Sequence, residues 1–178
     1  AKDREFFNRR LHSLLGVLPI GVYLVTHLMV NQFAEAVIYL PILFHAIYGV
    51  YIAFTAKNNL GRFGHFRNWM FFLQRLTGII TLIFIVWHVW ETRIQKFFGA
   101  EVNFDMMANI LNDPFMFWFY VVGVVSAIFH FANGLWSFCV SWGLTITPRS
   151  QKIVTYVTVL IFLGLSYIAI STLFAFVS

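Results

Sequence analysis

Apolar residues in this chain gather into long unbroken runs separated by short polar stretches. The runs cover approximately 11–30, 37–56, 69–90, 115–140 and 153–177. A helix rises 1.5 Å per residue, so about 20 apolar residues cross the hydrocarbon core of a bilayer. The pattern predicts an all-α integral membrane protein, a single domain over 1–178 with five transmembrane helices. The first run follows a charged ten-residue lead and has no small-residue cleavage pattern behind it. It is therefore expected to remain as a helix and not to be removed as a signal peptide.

Composition agrees with that reading. Of 178 residues, 60% are hydrophobic and only 11% charged, with a mean hydropathy of +0.79; a water-soluble domain is excluded. The net charge of +5 is a matter of placement. Lys2, Arg4, Arg9, Arg10, Lys57, Arg62, Arg67, Arg75, Arg149 and Lys152 fall on one side of the expected spans. Only Arg93 and Lys96 fall on the other, with Glu35, Glu91, Glu101, Asp105 and Asp113. Basic residues near span ends stay on the cytoplasmic side, which puts the N-terminus inside and the C-terminus outside. Split over short loops, the same charges offer no surface for nucleic acid.

Four histidines, His27, His45, His88 and His130, lie within four different runs. An imidazole at membrane depth is costly and needs a ligand, a partner or a proton path. His27 is seventeen residues beyond Arg10 and His88 twenty beyond Asn68, which places both roughly 25 to 30 Å from the cytoplasmic face. His45 is twelve residues before Lys57 and His130 twelve before Trp142, about 18 Å from the same face. Each depth holds two histidines on what the pattern takes to be neighbouring helices. Such a pair suits the two axial positions of a haem iron, and two pairs imply two stacked haems in a four-helix dihaem bundle.

The haem is expected to be b-type and non-covalent, because the only cysteine is Cys139 and covalent attachment takes two. His45 and His130 are each followed four residues later by glycine, Gly49 and Gly134, on the same helix face. A missing side chain there lets a macrocycle edge approach the backbone. Arg75 lies inside the third run, where a guanidinium needs an anion; with His12 and Ser13 at the inner end of the first run it is the candidate to hold haem propionates. Arg9 and Arg10 read as ordinary positive-inside anchors, and His65 as a solvated or partner-facing loop residue.

Spans one and two carry an outer and then an inner histidine, and spans three and four repeat that order. The repeat is uneven. His88 and His130 are forty-two residues apart, His27 and His45 eighteen. A loop and the outer end of the second helix, about two dozen residues in all, are expected to be absent between Gln32 and Val37.

The segments Arg-Arg-Leu-His-Ser-Leu-Leu-Gly from Arg9, Tyr-Gly-Val-Tyr-Ile-Ala-Phe-Thr-Ala-Lys-Asn-Asn from Tyr48 and Trp-His-Val-Trp-Glu-Thr-Arg from Trp87 are distinctive. So are Phe-His-Phe-Ala-Asn-Gly-Leu-Trp-Ser-Phe from Phe129 and Thr-Pro-Arg-Ser-Gln from Thr147. With them the chain resembles the cytochrome b membrane-anchor subunits of Bacillus-type succinate:menaquinone oxidoreductases, in the succinate dehydrogenase / fumarate reductase family. The resemblance runs the length of the chain and departs between Gln32 and Val37, where the family has a longer connection.

It implies a single-subunit, five-helix dihaem anchor in the bacterial cytoplasmic membrane, serving a flavoprotein subunit with covalent FAD and an iron-sulfur subunit. His45 and His130 then match the ligands of the haem nearer the iron-sulfur subunit, and His27 and His88 those of the distal haem. Electrons would pass outward to menaquinone, with Glu91, three residues past His88, as the candidate proton relay. Three other readings stay open. The same architecture serves fumarate reduction, a stand-alone transmembrane cytochrome would use the same haem geometry, and a proton-coupled transporter would use the histidines as titrating sites.

Overall fold

The computed structural model describes residues 2–29, 36–57, 60–61 and 64–178, and everything regular among them is helical. The elements are α1 (Lys2–Val17), α2 (Pro19–Met29), α3 (Ala36–Thr55), α4 (Phe66–Val89), a π turn (Trp90–Ile94), α5 (Gln95–Phe97), α6 (Phe104–Leu111), α7 (Pro114–Ser141) and α8 (Pro148–Ala175).

Among the described residues three helical stretches are long and apolar enough to cross a membrane, Phe66–Phe97, Pro114–Ser141 and Pro148–Ala175, and Tyr39–Thr55 is a shorter apolar helix. The first expected run is carried by α1 and α2, which are separated by the single residue Leu18. Leu18 N–H still donates to Leu14 O at 2.9 Å and Val22 N–H to Leu18 O at 3.1 Å. The hydrogen-bond ladder therefore continues across the break. Pro19, which has no N–H and crowds the preceding turn, is the reason for the interruption. The connection at 31–35, where the missing segment is expected, lies outside the described residues.

Helix starts follow local chemistry. Asn103 caps α6 by accepting from Met106 N–H, and Asp113 caps α7 by accepting from Met116 N–H, both at 2.9 Å. At α8, Thr147 and Ser150 form a reciprocal capping box. Pro114 and Pro148 stand at the first helical positions, where a missing N–H leaves no bond unmade. These caps lengthen α7 and α8 at their N-terminal ends beyond the apolar runs that announce them.

The packing makes a ring of four: α1 lies against α3 and α7, and α4 lies against the same two helices. Thus α3 faces α7 across one diagonal, and the α1–α2 unit faces α4 across the other. Outside the ring α8 packs on α7, and the short amphipathic α6 covers the N-terminal end of α7, burying Leu111 beside Phe84, Tyr120 and Leu173. Large apolar side chains point outward along α8, among them Leu160, Leu163 and Tyr167, as expected of a surface solvated by lipid. The whole is an all-helical membrane bundle.

Candidate functional site

The four intramembrane histidines meet in two pairs along the bundle axis. The His27 and His88 ring centres are 6.1 Å apart with planes at 73°, and those of His45 and His130 are 6.0 Å apart with planes at 86°. The pairs are those expected from depth, but their helices are diagonal partners and not neighbours. A diagonal pair meets in the middle of the ring, where four helices surround whatever lies between the imidazoles; adjacent helices would meet at the bundle wall.

The spacing has chemical meaning. A metal bonds an imidazole nitrogen at about 2 Å, so a metal held between two rings sets their centres roughly 6 Å apart. Rotation about the metal–nitrogen axis leaves the bond length unchanged, so steep interplanar angles are compatible with it. Among the described residues no three or more His, Cys, Asp or Glu side chains cluster to bind a metal. A macrocycle that supplies four nitrogens of its own needs only two from the protein.

In three of the four rings Nδ1 is also held. Nδ1 of His45 lies 3.0 Å from His12 O, and Nδ1 of His130 lies 2.9 Å from Gln74 O. A carbonyl only accepts, so in both rings Nδ1 carries the proton and Nε2 keeps its lone pair, the usual state of a metal-ligating histidine. In the outer pair, His88 Nδ1 lies 3.3 Å from the Tyr120 hydroxyl, which donates to Glu91 Oε2 at 2.8 Å. Glu91 sits in the π turn, half-buried.

Two glycines missed in the sequence fit the inner imidazoles. A Cβ at Gly16 would stand 2.6 Å from His45 Cε1, and one at Gly78 would stand 2.9 Å from His130 Cε1. Gly49 and Gly134 face something else: a Cβ there would meet His12 Nε2 and Gln74 Nε2, both at 3.2 Å. The bundle therefore repeats a device. On α1, His12 and Gly16 do for His45 what Gln74 and Gly78 on α4 do for His130. One residue supplies the carbonyl, and the glycine four positions later clears space for the ring. The recurring four-residue spacing was the available signal.

The expected propionate residues occupy definite places. His12 stacks flat on His45, and its buried Nε2 has no hydrogen-bond partner among the described residues. Ser13 follows it, half-buried. Arg75 donates to Ala56 O at 3.2 Å and lies over the Phe71 ring at 5.0 Å; part of its guanidinium thus closes the C-terminal end of α3. Thr81, between Gly78 and His88 on α4, has a buried hydroxyl with no hydrogen-bond partner among the described residues. The orphaned His12 and Thr81 atoms, the ring spacing and the ring tautomers all fit haem.

The architecture is that of an all-helical membrane bundle with two imidazole pairs on its diagonals, one above the other. The profile of the family described as Succinate dehydrogenase/Fumarate reductase transmembrane subunit matches residues 54–170, and the chain belongs to that family. The Succinate dehydrogenase cytochrome b558 subunit of Bacillus subtilis (strain 168) is 60% identical over 199 residues, covering 98% of this chain and 98% of the relative. No solved structure matches the chain. An alignment of 199 positions against a chain of 178 leaves at least 21 in which the relative has residues that this chain lacks.

Proposed function

We propose that this chain is the dihaem b anchor of a succinate:menaquinone oxidoreductase in a bacterial cytoplasmic membrane. In this reading it has five transmembrane helices in a single domain, an inner N-terminus and an outer C-terminus. Its partners are a flavoprotein subunit carrying FAD and an iron-sulfur subunit, both on the inner side. The missing stretch relative to its relative lies, in this reading, between Gln32 and Val37.

The observation that carries the proposal is the pair of imidazole couples with ring centres 6.0 and 6.1 Å apart. His45 and His130 would hold the inner haem b, and His27 and His88 the outer one. Haem, when bound, supplies one-electron carriage between ferric and ferrous iron, which suits passage from the iron-sulfur partner to menaquinone. The protein's own contribution is to fix the His45, His88 and His130 rings by hydrogen bonds at Nδ1 and to keep water and lipid out of the bundle centre.

His12, Ser13 and Arg75 form the inner haem's surroundings. His12 acts on the inner pair through its carbonyl and its stacked ring, and Arg75 through those guanidinium nitrogens not turned to Ala56. Glu91 serves as the proton relay to the quinone, since its carboxylate stands at the outer pair within reach of Tyr120. Outward electron movement is favoured by about 2.3 kcal/mol per charge per 100 mV of membrane potential, which helps reduce a quinone of low potential.

The test is to add succinate to the intact complex and follow the b-type α-bands. The proposal expects succinate to reduce both haems and a soluble menaquinone analogue to reoxidise them. A preparation that lacks the two partner subunits, yet is reduced by ascorbate and turns over, would favour the stand-alone cytochrome instead.

A further inference from the structure

We infer that Tyr120 is a positioning residue for the outer imidazole pair: its hydroxyl orients the His88 ring and links that ring to the Glu91 carboxylate. The inference rests on the proposal that His88 binds haem iron.

Tyr120 is 2% exposed and sits in the cluster formed with Phe84, Leu111 and Leu173. Its ring meets Phe84 edge-on at 5.2 Å and His88 edge-on at 5.7 Å. That packing fixes where the hydroxyl stands. A hydroxyl has one hydrogen, and here it goes to Glu91 Oε2 at 2.8 Å. What it presents to His88 Nδ1 at 3.3 Å is therefore a lone pair. The proton between them must sit on Nδ1, which leaves the Nε2 lone pair free. Tyr120 thus selects the tautomer that iron ligation requires.

The two layers of the bundle solve the same problem with different acceptors. His45 and His130 lean on main-chain carbonyls, those of His12 and Gln74, which are neutral and do not change. His88 leans on a hydroxyl that is itself polarised by a carboxylate. Hydrogen bonds backed by a charge are stronger than neutral ones, and a stronger pull on the Nδ1 proton makes the imidazole a better electron donor to its metal. The Tyr120–Glu91 link should therefore stabilise the oxidised state of the outer haem, an effect that the inner pair lacks.

The backbone around Glu91 is consistent with this use. The helix that carries His88 opens into a π turn at Trp90–Ile94, a local widening that re-aims side chains and occurs mostly at functional sites. Glu91 lies within that turn and Tyr120 comes from α7, so the contact also ties the outer ends of α4 and α7 together.

The experiment is a spectroelectrochemical titration of the intact complex carrying Tyr120→Phe or Glu91→Gln, with haem per chain measured on each sample. Tyr120→Phe should raise the midpoint potential of one haem and leave the other unmoved. Glu91→Gln, which keeps the hydroxyl but removes the charge behind it, should shift the same haem in the same direction by less. Tyr120→Phe with two haems bound and both midpoints unmoved overturns the inference while leaving the haem proposal standing. If Tyr120→Phe fails to assemble, Glu91→Gln decides, and unmoved midpoints in that variant overturn the inference. Wild-type complex without haem overturns the inference and the haem proposal together.

Discussion

The His12 ring lies flat on the His45 ring, with centres 4.0 Å apart and planes 7° from parallel. The carbonyl of the same residue accepts from His45 Nδ1 at 3.0 Å. One residue of α1 therefore fixes both the plane and the tautomer of an inner-layer imidazole on α3. His12→Ala keeps the carbonyl and removes the stack, which separates the two contributions. Stacked aromatic pairs contribute about 0.5–1.5 kcal/mol, equivalent to roughly a two- to tenfold faster loss of one haem. Transfer of haem to an excess of a soluble acceptor measures it, and biphasic loss with only one phase accelerated is the expected trace.

Gly78 is held to its size by His130. Alanine in a helix is ordinarily favoured over glycine by about 1 kcal/mol, but a Cβ at 2.9 Å from His130 Cε1 requires the ring to move. Gly78→Ala should lower haem content from two per chain toward one while the outer pair's spectrum persists. Gly164 in α8 is the internal control, since nothing stands within 4 Å of its added Cβ. Gly164→Ala should keep both haems. Equal haem contents in the two variants would mean that the His130 ring accommodates the methyl group.

Gln74 joins α4 to α7 through both ends of its side-chain amide. Its Nε2 donates to His130 O at 2.9 Å and its Oε1 accepts from Asn133 Nδ2 at 2.8 Å. Asn133 Nδ2 also donates to Met70 O at 3.2 Å, so Gln74→Leu leaves one of the two Asn133 side-chain N–H groups unpaired inside the bundle, at a cost of about 1–3 kcal/mol. The residue's own carbonyl, which holds His130 Nδ1, is untouched. Thermal denaturation of the complex should therefore show a lower midpoint while the haem spectrum at low temperature stays that of the wild type.

Thr147→Ala removes the capping box of α8, a helix outside the ring of four. The loss should be about 0.5–2 kcal/mol of stability, read by the same denaturation experiment, with both haem potentials unchanged. A shifted potential would show that α8 bears on the haem sites directly.

Much of this arrangement is legible along the chain, for physical reasons that differ from residue to residue. The histidine pairs follow from a constant rise per residue counted from the positive charges at the span ends, so depth is readable without any tertiary knowledge. Depth says nothing of rotation around the bundle axis, and the pairs turn out to be diagonal because α1 and α4 each pack between α3 and α7. Gly49 and Gly134 attract notice by following the histidines, yet the imidazoles press on Gly16 and Gly78 of the facing helices. A spacing within one helix cannot show which residues a ring meets across the interface. Tyr120 is one tyrosine in an apolar run until α7 and the π turn bring it between His88 and Glu91. Arg75 reads as an anion site because it lies deep, but its observed partners are a carbonyl at the end of α3 and the Phe71 ring.

In the proposed function two diagonal histidine pairs each hold a haem b. A pyridine haemochrome assay on the purified protein, with protohaem quantified per chain, tests it most directly. Two protohaems per chain are expected in the wild type and one in either His45→Ala or His88→Ala. A wild-type protein without protohaem, or one that keeps both haems when His45 and His88 are replaced together, would contradict the proposed function.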